Sequence, residues 1–521
     1  MKKWLTLLLA AMLLFTVAFA EGNDKITLTE ETGEIVRGGV LTMAKSKGLD
    51  AGLNIAKISD CSSDFPVMAQ IYEGLLTIDE TGNVAPGLAT EWAFAEDGLS
   101  MNMKLREDVS FSNGEKFNAE AVAKCLNFYI SEECGHVFKG SDLSLIAGVD
   151  VVGEYEVRIN LTAVDAALGL ELAGSSGYIM APSVIDKGEM NTNPIGTGPF
   201  VLKEYKEGES VELVANPNYY KLGADGKPLP YLDGIKYIVI TDDTTKTTNL
   251  LSGDLDGVDR HGSTTSVLAA QAADNMATYQ IPITQVYNIS MNMHYEPLKD
   301  IRVRQAIACA LNGQEIVDIA MEGLGEMTPF WTDSGKWFYD EYNPHSYDPE
   351  KAKALLKEAG AEGLELELAI IAREPDNTVA QLVQYQLSDV GINVKINAMD
   401  SASWVALVRN ETNHQICISL TGNAGYDPAK GWVIPLKSFG DAGKGIEMID
   451  GLKKLLDDQK INTNQEERVA MMEQFQKTIL DEYLTVIVGN KFQYGSFADY
   501  VKNVKFNYYG WYEFGDTYIA K

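Results

Sequence analysis

The amino-acid sequence predicts an α/β fold with more than one core, and three observations carry that prediction. Residues 348–396 read as helix, strand, helix, strand with short connections, the order of a βαβ unit with a parallel pair and a right-handed crossover. Strand-like runs near 36–47 and 237–240 lie far from that unit in the chain. The 521 residues are 45% hydrophobic and 22% charged, a globular composition, and at about 150 residues per domain the length allows about three or four units.

Taken in order, Ile-Val-Arg-Gly-Gly-Val-Leu-Thr-Met-Ala-Lys-Ser at 36–47 is the opening strand, and 65–76 is expected to be helical. An Asn113-Gly114 turn between apolar flanks signals a hairpin. Asn118 then caps a helix with Glu120 in its first turn, where the amide ends favour a negative charge. Tyr155-Glu-Val-Arg-Ile-Asn-Leu alternates like a half-buried strand, while Tyr237-Ile-Val-Ile is continuously apolar. Asp348 and Pro349 start a helix whose apolar face is Ala352, Leu355, Leu356 and Ala359, and Gly360 ends it. A strand at 364–368, a helix at 378–389 and a strand at 392–396 follow, then an amphipathic helix at 465–483 and an aromatic close at 508–512.

The N-terminus reads as a targeting segment. Lys2 and Lys3 precede a mostly apolar stretch, and Ala18-Phe19-Ala20 offers a small-x-small cleavage site before Glu21. The first cysteine is Cys61, so none follows the cut to carry lipid, and the expectation is a soluble exported protein, most simply periplasmic. Five cysteines are too few and too scattered for a disulfide scaffold; Cys125 and Cys134 flank a helix end, and separation alone leaves their pairing open.

Lys and Arg number 43 against 74 Asp and Glu, for a net charge of −31. No dense basic run follows Lys3, so nucleic acid is excluded as a partner and an anionic bilayer is disfavoured; partners should be neutral, zwitterionic or cationic. Positive support for catalysis is missing. The sequence lacks a Gly-x-Ser-x-Gly elbow, His-Glu-x-x-His, Cys-x-x-Cys and a phosphate-loop lysine. Asp254, Asp256 and Asp259 depart from a calcium loop, because the glycine falls fourth and no glutamate closes it. No metal and no cofactor is expected.

Seven segments in order carry a resemblance. They are Gln70-Ile-Tyr-Glu-Gly-Leu-Leu, Ala85-Pro-Gly-Leu-Ala-Thr-Glu-Trp, the Val109-to-Val122 stretch, Asn193-Pro-Ile-Gly-Thr-Gly-Pro-Phe with Asn216-Pro-Asn-Tyr-Tyr, Leu251-Ser-Gly-Asp-Leu-Asp, Ile301-Arg-Val-Arg-Gln-Ala-Ile, and Tyr347-Asp-Pro-Glu-Lys-Ala-Lys-Ala-Leu-Leu. The chain resembles the solute-binding proteins of peptide, dipeptide and nickel ABC importers, extracellular solute-binding protein family 5.

That resemblance implies a two-lobed periplasmic-binding-protein-like fold with hinge crossovers and an extra N-terminal subdomain. It divides the chain into a signal peptide at 1–20, a first lobe at 21–72, 186–282 and 486–521, the subdomain at 73–185 and a second lobe at 283–485. The crossovers are expected near 280–285 and 483–489. Gly196 and Gly198 are expected in a turn needing positive φ, and Arg302 and Arg304 in surface ion pairs. The implied ligand residues are Arg373, Asn423, Tyr426, Asp427 and Trp432. Arg373 lies close to the arginine that holds the ligand carboxylate in dipeptide-binding relatives. Asn423 stands where those relatives place an aspartate for the peptide ammonium, and a neutral amide cannot supply that charge. The nickel-binding relatives share Gly425-Tyr426-Asp427-Pro428 in part, but their arginine in segment 173–179 and their histidine around 438–441 have no counterpart. The implied function is a non-catalytic, monomeric carrier that delivers a small solute, such as a short peptide or amino-acid derivative, to an ABC permease. The alternatives are a nickel-chelate or oligosaccharide binder of the same family, a secreted hydrolase using unrecognised carboxylates, or a receptor whose loaded form signals to a membrane sensor.

Overall fold

The structure is a computed structural model and describes residues 34–58, 64–79, 82–137, 139–140, 143–328, 330, 337, 339, 342–411, 413–422, 447–507 and 509–521. Its spine is two long antiparallel strands, an outgoing Met276–Met291 and a returning Thr485–Ala498, which run through both halves of an 11-stranded sheet. On one side of the spine, Val40–Lys45 pairs in parallel with Gly234–Val239 and with Gly257–Val258. On the other, Glu365–Ile371 pairs in parallel with Asn393–Met399 and Ile416–Gly422. Each half has its own core: Leu41, Met43, Ile235 and Tyr237 belong to one cluster, Leu366, Leu368, Val383 and Leu387 to another. Two lobes on one continuous sheet are the result.

A separate four-stranded antiparallel sheet, from Ala89–Phe94 to Glu156–Leu161, carries the helix Ala119–Tyr129 and forms the extra N-terminal subdomain. The elements with local signals are where the sequence places them. The Asn118 side chain accepts from the Ala121 amide at 3.0 Å, and Asp348 accepts from the Lys351 amide at 2.9 Å at the start of Pro349–Ala359. Gly360 ends that helix at φ +66°. Strand Glu365–Ile371, helix Asp376–Asp389 and strand Asn393–Met399 form the parallel unit.

Several expectations are corrected. The helix expected over 65–76 spans only Phe65–Met68, and Leu76 already begins a strand. Gly74 forms a bridge with Tyr178, and a Cβ there would lie 3.2 Å from the Leu172 carbonyl, so the chain at this point is held extended by a close backbone crossing. Asn113-Gly114 makes a tight turn closed by a single bridge between Ser110 and Lys116, not a hairpin of two strands. Gly196 and Gly198 have no positive φ; each is small because another segment passes over it, and a Cβ on Gly196 would sit 2.2 Å from the Ile71 carbonyl. Arg302 pairs with Asp300 at the surface, as expected. Arg304 does not: it is 1% exposed, and its guanidinium donates to the carbonyls of Leu298, Lys299 and Glu482 and to the Glu482 carboxylate. Cys125 and Cys134 are both free and buried. Asp256 accepts from the Thr42 amide and the Tyr500 hydroxyl, a packing role, and the described residues contain no group of side chains arranged to hold a metal ion.

Candidate ligand-binding cleft

The carboxyl ends of the parallel strands in both lobes point at the same place. In the second lobe Ile371 and Met399 end their strands side by side, and Gly422 ends the next strand beside Gln285, which pairs with Gly422 and with Lys491. In the first lobe Lys45 and Val258 end theirs beside Ser496, and the His261 amide donates to the Tyr494 carbonyl at 2.8 Å. Ligands of open α/β sheets bind at carboxyl strand ends, where the connecting loops diverge. Here two such edges face each other across the spine.

The returning strand records the opening between them. Its two ends are buried, whereas Lys491, Phe492, Gln493 and Tyr494 in its middle are half-buried. Pairing is irregular on either side of this stretch. Pro282 lacks an amide hydrogen, and 282 and 283 pass unpaired between the Ile281 to Gln493 and Thr284 to Phe492 pairs. Farther along, the register slips again between Tyr287 and Asn288 where Gly489 has φ +152°, and a Cβ at Gly489 would meet Val317 at 2.6 Å. A broken ladder and a residue only glycine satisfies are features of a strand pair that bends.

Arg373 lies two residues beyond the end of Glu365–Ile371, which puts it at the carboxyl edge of the second lobe. Its Nε donates to Asp376 Oδ2 at 3.2 Å, with Arg373 side chain 47% exposed and Asp376 3% exposed. Burial pushes the Asp376 carboxyl up, and the Arg373 charge opposes that shift. The two terminal nitrogens of Arg373 have no partner among the described residues, so half of the guanidinium fork is available. Lys491 stands close enough for Arg373, Asp376 and Glu322 to act on its charge, and burial lowers its ammonium pKa.

Opposite, Lys45 and Asp259 lie 3.8 Å apart, with the Lys45 ammonium 5.7 Å from the Tyr237 ring centre. Asp259 Oδ1 and the Tyr237 and Tyr279 hydroxyls are enclosed without hydrogen-bond partners among the described residues. Burial raises Tyr279 to about 12. These groups are packed beneath the edge rather than exposed on it. The lobes also touch away from the spine, through the Ala166 amide on the Lys460 carbonyl at 3.0 Å and Arg468 on the Ala166 carbonyl at 3.3 Å. A groove of about 430 Å³ lined by Glu365, Glu367, Lys395 and Gln415 lies at the amino end of the second-lobe strands, remote from the cleft.

Of the residues expected from sequence to meet ligand, Arg373 is at the cleft edge; Asn423, Tyr426, Asp427 and Trp432 lie outside the described residues. Sequence reading missed Lys491 and the Asp259 to His261 turn. Neither belongs to a motif, and both reach the cleft only through strand pairing. The family model of bacterial extracellular solute-binding proteins, family 5 Middle, matches residues 83–443, well over half of the chain.

The chain belongs to family 5 of the bacterial extracellular solute-binding proteins.

Relatives match from about two thirds to nine tenths of this family 5 protein. A di/tripeptide-binding protein of Pseudomonas aeruginosa is 26% identical over 91% of this chain and 94% of its own. A nickel-binding periplasmic protein of Escherichia coli is 28% identical over 69% and 71%. Among solved structures, NikA of Brucella suis in complex with Fe(III)-EDTA superposes with a TM-score of 0.80 at 24% identity, covering 92% of this chain and 100% of that one. DppA of Helicobacter pylori in complex with the peptide STSA gives 0.71 at 21% identity, covering 93% and 99%. The family 5 protein is a binding protein rather than an enzyme: it captures a solute outside the cytoplasm and works with an ABC transporter. No helix among the described residues is long and apolar enough to cross a membrane.

Proposed function

We propose that this family 5 protein captures a short peptide or modified amino-acid derivative by its carboxylate and delivers it to a peptide-type permease. The observation that carries the reading is Arg373, held by one nitrogen on Asp376 at the carboxyl edge of the second lobe with its other two nitrogens available. A guanidinium fork matches a carboxylate with two parallel hydrogen bonds. Asn423, Tyr426, Asp427 and Trp432 supply the remaining contacts, with Asn423 unable to pair a free ammonium. The first lobe then comprises 21–72, 186–282 and 486–521, the subdomain 73–185 and the second lobe 283–485, with lobe closure around the bend in the spine. The protein is exported with cleavage after Ala20, carries no lipid and acts as a periplasmic monomer. Native mass spectrometry of gently purified protein tests the ligand class. A bound mass matching a peptide or amino-acid derivative is expected, and a metal chelate or a sugar would overturn the assignment.

A further inference from the structure

Acids outnumber bases 74 to 43 in this chain, so cations without partners are unexpected. Among the described arginine side chains, seven make hydrogen bonds and Arg260 makes none. It follows Asp259 at the carboxyl edge of the first lobe, and its neighbour His261 is hydrogen-bonded to the Tyr494 backbone on the cleft floor. Lys491, on that same floor, is half-buried and likewise makes no ion pair or hydrogen bond through its ammonium among the described residues. Arg373 is the third, with two free nitrogens. The three cations therefore lie along one stretch of the spine: Arg373 acts on the charge of Lys491, and Arg260 is the residue before the His261 amide that bonds Tyr494, three residues farther on.

Of the nearby acids, Asp376 is taken by Arg373 and Asp259 lies 3.8 Å from Lys45. Glu322 acts on the charge of Lys491 and Glu326 on Tyr494 from a distance, Glu322 being exposed on the loop before Gly325, and neither makes an ion pair with Lys491. We propose that Arg260, Lys491 and Arg373 together select a solute carrying two carboxylates, one set against Arg373 and Lys491 and the other against Arg260. This rests on the reading of Arg373 as a ligand anchor. The chemical class is an acidic short peptide or a comparable dicarboxylic amino-acid derivative. The overall charge of −31 does not forbid it, because exposed charges farther away than about 8 Å are largely screened at physiological salt. Without ligand, closure would drive like charges together while removing water from them, which favours an open cleft. A doubly negative ligand bridges the lobes and offsets that repulsion, so closure becomes conditional on its charge.

The test uses the mature protein, with N-acetylated alanyl-glutamate and alanyl-glutamine as calorimetric probes. The unmodified protein should bind alanyl-glutamate about tenfold or more tightly, as expected when a further charged hydrogen-bonded contact is gained. Arg260→Gln should bring that ratio towards one and Arg260→Lys should restore it in part, while Lys491→Met should weaken both peptides alike. Equal binding of the two peptides by the unmodified protein, a preference untouched by Arg260→Gln, or no effect of Lys491→Met on either peptide overturns the proposal. Arg373→Gln separates the levels: if it weakens both peptides while the ratio is one throughout, only the three-cation selection falls; if it affects neither, the reading of Arg373 falls first. A second readout needs no ligand. Small-angle scattering should find the Arg260→Gln, Lys491→Met double variant more compact than the unmodified protein, and an unchanged radius, or binding of neither probe, overturns the proposal.

Discussion

Replacing Arg373 with Ala removes two things at once, and the structure separates them. One is the available half of the guanidinium fork. Hydrogen bonds to charged groups contribute about 1.5–3 kcal/mol net, and the side chain is 47% exposed, which keeps the loss near the lower end, about 2 kcal/mol or about thirtyfold in Kd. The other is the partner of Asp376, which is 3% exposed and whose carboxyl is already pushed up by burial. Leaving that carboxylate buried and uncompensated costs stability, about 1–3 kcal/mol by the ordinary penalty for an unsatisfied buried group. Arg373→Ala, Asp376→Asn and the double variant form a cycle. Calorimetry on each with a peptide acid and its C-terminal amide should show the thirtyfold loss for the acid only, in both variants lacking Arg373. Thermal melts should show Arg373→Ala destabilised and the double variant partly recovered. Equal binding of acid and amide by the unmodified protein, with no effect of Arg373→Ala, would refute the assignment.

Arg304→Met should cost about 3 kcal/mol in a denaturant titration, because three backbone carbonyls lose their buried donor, while ligand affinity stays unchanged. Burial lowers His136 and His261 to about 4, so each is neutral in the native state at pH values where the unfolded chain takes up a proton. Their contribution to stability is present above the unfolded value of about 6.5 and is lost as pH falls from there towards 4; a His261→Gln variant should flatten the slope of stability against pH across that window. Burial raises Cys125 to about 12 and Cys134 to about 11, so neither should react with a thiol reagent at pH 8 until the chain is unfolded, and mass mapping of labelled peptides reads this directly. Finding the two linked in an oxidised peptide would contradict the free thiols.

Caps, turns and the βαβ order were legible because their causes are local. Asn118 and Asp348 each bond an amide three residues on, and Gly360 occupies a positive φ that its own turn requires. Gly196 and Arg304 were misread for the opposite reason. What makes Gly196 small is the Ile71 carbonyl passing above it, and what buries Arg304 is the turn at Glu482, both distant in the chain. The same holds at the cleft. Arg373 could be located from a family pattern beside a helix start, but Lys491 belongs to an alternation that reads as plain strand, and Arg260 to an acidic turn that resembles an abandoned calcium loop. Their convergence is created by the pairing of the spine with the Gly257–Val258 strand and by the break in its ladder, which no local window contains.

Hydrogen exchange on protein purified with its solute, compared with the same protein stripped by unfolding and refolded, tests most directly whether a solute closes the two lobes over this cleft. Amides of 259–261 in the first lobe, 371–376 in the second and 491–494 on the floor should gain protection together and lose it together on stripping. Protection confined to one lobe, or centred on the groove at Glu365 and Lys395 instead, would contradict a ligand enclosed between them.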